Sequence, residues 1–273
     1  MITENAYAKI NLALDVVGQR EDGYHELKMI MLPIELHDVI VFEKSDHIEL
    51  KSNIDIENNA ILKTVHYMKD KYRVNQGVSI KLDKRIPIGA GLGGGSADIS
   101  ATLRGLNQLW GLNLDLKALE IDANYLGSDT LFCLYNRCAY VFGRGDKLKF
   151  LETPPIKHIY LFNPGIEVST KVIFNAYKAL PKYRKFENLL KYFTDKNYEK
   201  FFKYTYNDLS KTVENTYENV KKYKKIIDKI DKNAYMTGSG STYFLLEFNE
   251  NSADFYDKLR KSEIKYIKTT PKL

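Results

Sequence analysis

The stretch "IPIGAGLGGGSAD", Ile86 to Asp98, holds five glycines in thirteen residues. Glycine loses more conformational freedom on folding than any other residue, so such a cluster needs a physical reason. Without Cβ atoms in the way, backbone amides can converge on one point. The sequence that follows, "SADISATLRGLNQLW", has helical apolar spacing, with Ile99, Leu103, Leu106 and Leu109 on one face. A helix starting near Ser96 adds amides with no intrahelical acceptor and the positive end of its dipole. Together these make a phosphate cradle. The alternative is a mobile glycine linker with Ser96 as an ordinary N-cap. A linker does not normally join a strand to an amphipathic helix inside one core.

Three familiar phosphate loops do not fit. Gly89, Gly91 and Gly94 spell a literal G-x-G-x-x-G. A dinucleotide fold needs that pattern tight against a strand, with an acid about twenty residues on at the end of a second strand. Here Pro87 intervenes and the following residues read as helix. A Walker loop needs lysine before Ser96, where Gly95 stands. The H-R-D and D-F-G strings of protein kinases are absent.

The surrounding elements must hold this loop. "AKINLALDVV" and "DVIVFE" read as strands, and "HIELKS" and "VSIKL" alternate apolar and polar residues. "NNAILKTVHYMKDKY" has helical spacing through Ile61, Leu62, Val65 and Met68. "DLKALEIDANYLG" predicts a second helix, stopped by Gly127. "CAYVFGRGDKLKFL" predicts a hairpin turned at Gly143 to Asp146. The paired prolines of "ETPPIK" mark a boundary, giving domains 1–152 and 153–273. Beyond it come a strand "HIYLFNP", a helix near Val172 to Leu180 and a long lysine-rich helical region. "NAYMTGSGSTYFLLEF" reads as strand, glycine turn, strand, and "YIKTTP" as a closing strand.

Composition narrows the class. The 273 residues are 44% hydrophobic, enough for a sizeable core. No segment reaches the roughly eighteen apolar residues of a membrane span, and Asp15 interrupts the apolar start, which does not read as a signal peptide. Cys133 and Cys138 fit neither a CxxC redox motif nor a disulfide framework, and read as free thiols of a reducing cytoplasm. The net charge is +6, but acidic residues are interleaved throughout. The excess follows the Lys, Tyr, Asn and Ile of the C-terminal third, residues that share A- and T-rich codons. No nucleic-acid partner is expected.

"PIGAGLGGGSAD" resembles the central motif of the superfamily of galactokinase, homoserine, mevalonate and phosphomevalonate kinases. "AYAKINLALDVVGQREDGYHEL" resembles the N-terminal motif of its branch acting on 4-diphosphocytidyl-2-C-methyl-D-erythritol. "LGSDTLFCLYNRCAYVFGRGD" resembles the acidic motif and "YMTGSGSTYFLL" the C-terminal glycine motif. The four stand in family order from Ala6 to Leu246. The resemblance implies a two-domain α/β (α+β) small-molecule kinase fold. Its N-terminal domain would be a ribosomal-protein-like β-α-β domain and its C-terminal domain ferredoxin-like. ATP and the small-molecule substrate would lie between them, in an enzyme that is a monomer or homodimer.

The resemblance also implies roles. Asp129 would accept the hydroxyl proton and Lys9 would keep it ionised, since an adjacent cation favours the carboxylate. Without the family, Asp129 reads as a helix-end aspartate and Lys9 as a surface lysine. Pro87, Gly89, Gly91, Leu92, Gly93, Gly94, Gly95, Ser96 and Ala97 would wrap the triphosphate. The Ser96 hydroxyl would meet Mg²⁺ or a phosphate, and Asp98 would be its neighbour's partner or a first-turn acid suiting the dipole. Tyr24 would stack on cytosine opposite Phe174, and His25 would read the edge of the base. Asn11 would hold the erythritol end. Thr170 and the glycine turn Gly238, Ser239 and Gly240 would complete the substrate side. One departure is local: where the family usually carries Val-Pro or Ala-Pro after the aspartate, this chain has Thr130-Leu131. No proline ring sets the chain direction there.

Overall fold

A computed structural model describes residues 1–179, 185–249 and 252–273. The chain folds as a mixed α/β protein whose contacts form two units. Unit one comprises Met1–Ala8, Leu36–Ile86 and Gly93–Asn136, and unit two Lys9–Glu35, Pro87–Leu92 and Arg137–Leu273. The chain passes from one to the other inside two long strands, β1 (Ile2–Gln19) and β2 (His25–Ser45), and again inside the glycine stretch, between Leu92 and Gly93.

In unit one, β3 (Ile48–Ser52), α1 (Ala60–Tyr72) and β4 (Gly77–Asp83) form a β-α-β unit, with β3 and β4 parallel in the register Ile48↔Val78. Parallel neighbours need such a crossover, and the helical spacing of "AILKTVHYM" supplies it. Asn59 caps α1 by accepting from the Ile61 amide at 2.9 Å. The far half of β2 pairs antiparallel with β4, Phe42 opposite Ile80. On this frame lie α2 (Gly94–Leu109), α3 (Leu116–Leu126) and α4 (Thr130–Tyr135). Helix α2 packs against α1 and α4 and buries Ala97, Ala101, Leu103, Leu106 and Leu109. Ile99, expected on the inner face, is half-buried.

In unit two, the near half of β2 pairs with β5 (Ala139–Gly143), which turns at Gly143 to Asp146 into β6 (Lys147–Phe150) as the sequence predicts. A second sheet of four antiparallel strands runs in the order β10 (Ile267–Thr269), β7 (His158–Phe162), β9 (Tyr243–Glu247), β8 (Tyr235–Met236). Its centre buries Ile159, Tyr160, Leu161, Phe162, Tyr243 and Phe244. The expected helix near Val172 is α5 (Thr170–Ala176), and Leu180 lies outside the described residues.

The lysine-rich region is not one long helix. It divides into α6 (Phe186–Thr194), α7 (Tyr198–Tyr204), α8 (Ser210–Thr216) and α9 (Glu218–Ile230), with α10 (Ala253–Lys261) after β9. Asparagine chemistry makes two of the breaks. The Asn197 side chain accepts from the Lys200 amide, and that of Asn207 accepts from the Leu209 amide. Such side chains compete with helical hydrogen bonding and favour caps. Both cysteines are buried free thiols, and no described helix is long and apolar enough to cross a membrane.

Candidate active site

In unit two, Lys9 sits in the buried run of β1, which extends from Ala8 to Val16. Its Nζ donates to Asn11 Oδ1 at 2.8 Å and to the Gly91 carbonyl at 3.1 Å. The Asn11 amide donates to Thr237 Oγ1 at 3.0 Å, and that hydroxyl reaches the Gly91 carbonyl at 3.2 Å. Three motifs distant in sequence therefore meet: "AKIN", the front of the glycine loop and "TGSG". Backbone bonds lace the loop in place. Lys9 donates to the Leu92 carbonyl, Thr242 to Ala90 and Val168 to Gly89. Gly91 has φ +75°, and a Cβ there would fall 2.3 Å from the Thr237 carbonyl oxygen and 2.8 Å from that of Gly240. Only glycine lets the two loops approach this closely. Pro87 is half-buried at the loop's entry, and Leu92 is buried.

In unit one the loop becomes a helix. Gly93, at φ +71°, is the N-cap, so α2 begins at Gly94 and Ser96 lies in its first turn rather than capping it. The Ala97 amide donates to the Gly93 carbonyl at 2.9 Å. The amides of Gly94, Gly95 and Ser96 precede it and have no intrahelical acceptor. Gly95 is exposed, and a Cβ there would meet nothing within 4 Å. This turn has the open space and the positive dipole end that an anion needs.

Asp129 stands at the N-cap of α4 in the same unit, half-buried, and its carbonyl accepts from the Cys133 amide at 3.1 Å. In place of a proline, two hydrogen bonds fix the chain after it. The Thr130 amide donates to the Gly127 carbonyl at 3.2 Å, and Ser100 Oγ of α2 donates to the Thr130 carbonyl at 2.7 Å. Helix α2 is thus tied directly to the segment carrying Asp129. Lys9 belongs to unit two and Asp129 to unit one.

The residues expected around the base lie in unit two. Tyr24 occupies the turn between β1 and β2, half exposed, with the Arg144 guanidinium 5.6 Å from its ring centroid. The His25 ring lies 4.9 Å from that of Phe174, and Tyr177 approaches His25 edge-on at 6.3 Å. Partial burial holds the His25 pKa below its usual value, which favours the neutral ring. The hydroxyls of Thr170 and Ser239 are 2.8 Å apart, joining two more of the expected substrate residues.

Sequence reasoning missed Thr237, Lys84 and Asp38. Lys84 Nζ lies 2.6 Å from Asp38 Oδ2 and 2.6 Å from Asp98 Oδ2, with all three side chains buried. Asp38 Oδ1 also accepts from the Arg85 and Ile86 amides at 2.6 and 2.8 Å. Asp98 is thus half of a buried ion pair rather than a solvated first-turn acid. Burial pushes its carboxyl up to about 7, with Lys84 opposing the shift and Asp38 adding to it. A lysine and an aspartate flanking the glycine motif were visible in the sequence. Asp38, far upstream, gave no signal.

Residues 59–137 match the family model described as GHMP kinases N terminal domain. The chain is 38% identical over 267 residues to a 4-diphosphocytidyl-2-C-methyl-D-erythritol kinase of Thermodesulfovibrio yellowstonii, covering 93% of this chain and 92% of the relative. It is 37% identical to the Bacillus subtilis protein of that name, covering 95% and 93%. A crystal structure of 4-(cytidine 5'-diphospho)-2C-methyl-D-erythritol kinase superposes with a TM-score of 0.79 at 29% identity, over 99% of both chains. Homoserine kinase from Cytophaga hutchinsonii shares the fold, with a TM-score of 0.71 at 16% identity over 98% of this chain and 94% of that one.

Proposed function

The chain belongs to the 4-diphosphocytidyl-2-C-methyl-D-erythritol kinases, and from that premise we propose that it transfers the γ-phosphoryl group of ATP to the 2-hydroxyl of 4-diphosphocytidyl-2-C-methyl-D-erythritol, a step in isoprenoid precursor synthesis. The hydroxyl oxygen bonds to the γ-phosphorus. The bond from that phosphorus to the β,γ-bridging oxygen breaks, ADP leaves, and the hydroxyl proton passes to a base. Such transfers depend on positioning and charge stabilisation more than on covalent catalysis.

In this reading Asp129 takes the proton and Lys9 orients the hydroxyl. The free amides of Gly94, Gly95 and Ser96 meet the triphosphate, and Pro87, Gly89, Gly91, Leu92, Gly93 and Ala97 shape the loop around it. Tyr24, His25 and Phe174 hold the cytosine, while Asn11, Thr170 and the 238–240 turn hold the methylerythritol diphosphate. Residues 1–152 serve as the N-terminal kinase domain and 153–273 as the C-terminal one. The free thiols and the use of ATP suit a cytoplasmic enzyme.

The donor set fits Mg²⁺. The Ser96 hydroxyl is a hard oxygen ligand beside the open space at Gly95. No group of three or more His, Cys, Asp and Glu suited to a metal occurs among the described residues. Mg²⁺ keeps several waters and takes few protein ligands alongside phosphates. When bound it neutralises phosphate charge.

The observation that carries the reading is the Lys9–Asn11–Thr237–Gly91 network, which ties the motif specific to this branch to both glycine loops. ADP release tests it, assayed with the cytidine-linked alcohol, homoserine and mevalonate in turn. Release with the first alone is expected. Turnover of homoserine or mevalonate in its place would assign the chain to another branch.

A further inference from the structure

The ion-pair triad beneath α2 plays no part in the chemistry above. We propose that Lys84 is a positioning residue for the phosphate-facing turn, clamping the first turn of α2 onto the segment that ends β4. The proposal rests on the reading that this turn holds the phosphates of ATP.

The clamp has two jaws. On one side Asp38 fixes both the ammonium and the chain, since Oδ2 meets Lys84 Nζ while Oδ1 accepts the Arg85 and Ile86 amides. On the other side Asp98 meets the same ammonium from within α2. Gly94, four residues before Asp98 and hence one turn back along the helix, lies directly over the ammonium. A Cβ at Gly94 would sit 3.1 Å from Lys84 Nζ and 3.0 Å from Ile86 Cγ2. Lys84 therefore bonds α2 through the Asp98 carboxylate, with Gly94 leaving room for its ammonium.

Asp98 has little else to hold it. Its Oδ1 is buried without a hydrogen-bond partner, so Lys84 is the cation that compensates this carboxyl. Enclosing one ammonium and two carboxylates is costly before pairing, and apolar side chains would fill the same space at lower cost. What ions add is direction. Three short contacts set where Gly94 and Asp98 lie relative to Ile86, and so where the amides of Gly94, Gly95 and Ser96 aim. Without Lys84 nothing bridges Asp38 to Asp98, and the turn loses its tie to the end of β4.

The test measures the dissociation constant of a non-hydrolysable ATP analogue by calorimetry, alongside both Michaelis constants and circular dichroism. Lys84→Met and Asp98→Ala should weaken analogue binding about ten-fold, the scale of a lost charged hydrogen bond. The Michaelis constant for the alcohol should stay unchanged. Asp98→Asn keeps an acceptor for Lys84 and should recover most of the lost affinity. A merely structural role would lower stability without this selective loss and rescue. Asp98→Ala leaves the Lys84–Asp38 pair intact and decides the matter if Lys84→Met does not fold. Gly95→Val, whose side chain enters open space, separates the two claims. If it binds the analogue normally, the phosphate reading itself is wrong. If it loses binding while a folded Asp98→Ala keeps wild-type affinity, the phosphate reading stands and the clamp is overturned.

Discussion

Burial decides the protonation of Asp98. Its carboxyl rises to about 7 in the folded chain, against about 4 for an exposed aspartate. The folded state therefore holds this proton more tightly than the unfolded state. Stability must fall as pH rises between those values and level off above the folded one. Asp98→Asn cannot titrate. Urea unfolding across that range should show the wild type losing stability relative to the variant up to about pH 7, with a constant difference above. A difference independent of pH would mean that Asp98 titrates like an exposed carboxyl. At Asp129, replacement by Asn should cut turnover roughly 100-fold or more, the scale of a lost general base, with nucleotide affinity nearly intact. Wild-type turnover would remove it from the mechanism. Tyr24→Ala should raise the Michaelis constant for the alcohol about ten-fold or more, the scale of one lost base stack, and leave that for ATP alone. A rise for ATP instead would put Tyr24 on the nucleotide side. The sequence named these residues through motif resemblance. It could not pair Lys84 with Asp38, because 46 residues separate them and only β2 running antiparallel to β4 brings them together.

The elements were legible where local pattern decides. The alternation in "VSIKL", the helical spacing after Asn59 and the glycines of the β5–β6 turn each predict what forms. The lysine-rich region was less so. Its periodic apolar residues fit one long helix as well as four short ones, and the side chains of Asn197 and Asn207 break it. Another feature hidden from pattern is the seat of α2. A Cβ at Gly105 would come within 2.5 Å of the Phe42 ring, so this glycine lets the helix lie down on β2. Gly105→Ala gains helix propensity, up to about 1 kcal/mol, but overpacks the contact at a cost of about 1–3 kcal/mol. Net destabilisation is expected in urea unfolding, and the displaced helix should weaken ATP binding as well. A stabilised variant would show that Phe42 gives way freely.

Across the whole molecule, the assigned roles draw on both contact units. Unit two holds Lys9, Asn11, Gly91 and the aromatic residues assigned to cytosine; unit one holds the helix start at Gly94 and Asp129. No single stretch carries the assigned roles: spacing does not pair Lys9 with Asp129, and their joint role is what the resemblance of their motifs implies. The central claim concerns which bond is made, and phosphorus NMR of the product reads it directly. With ATP, Mg²⁺ and 4-diphosphocytidyl-2-C-methyl-D-erythritol, the spectrum should gain one phosphomonoester resonance in step with ADP. The cytidine diphosphate signals should persist, and carbon–phosphorus coupling should place the new group on the 2-hydroxyl carbon. ADP formed without a new ester, or an ester on a different hydroxyl, would contradict the account.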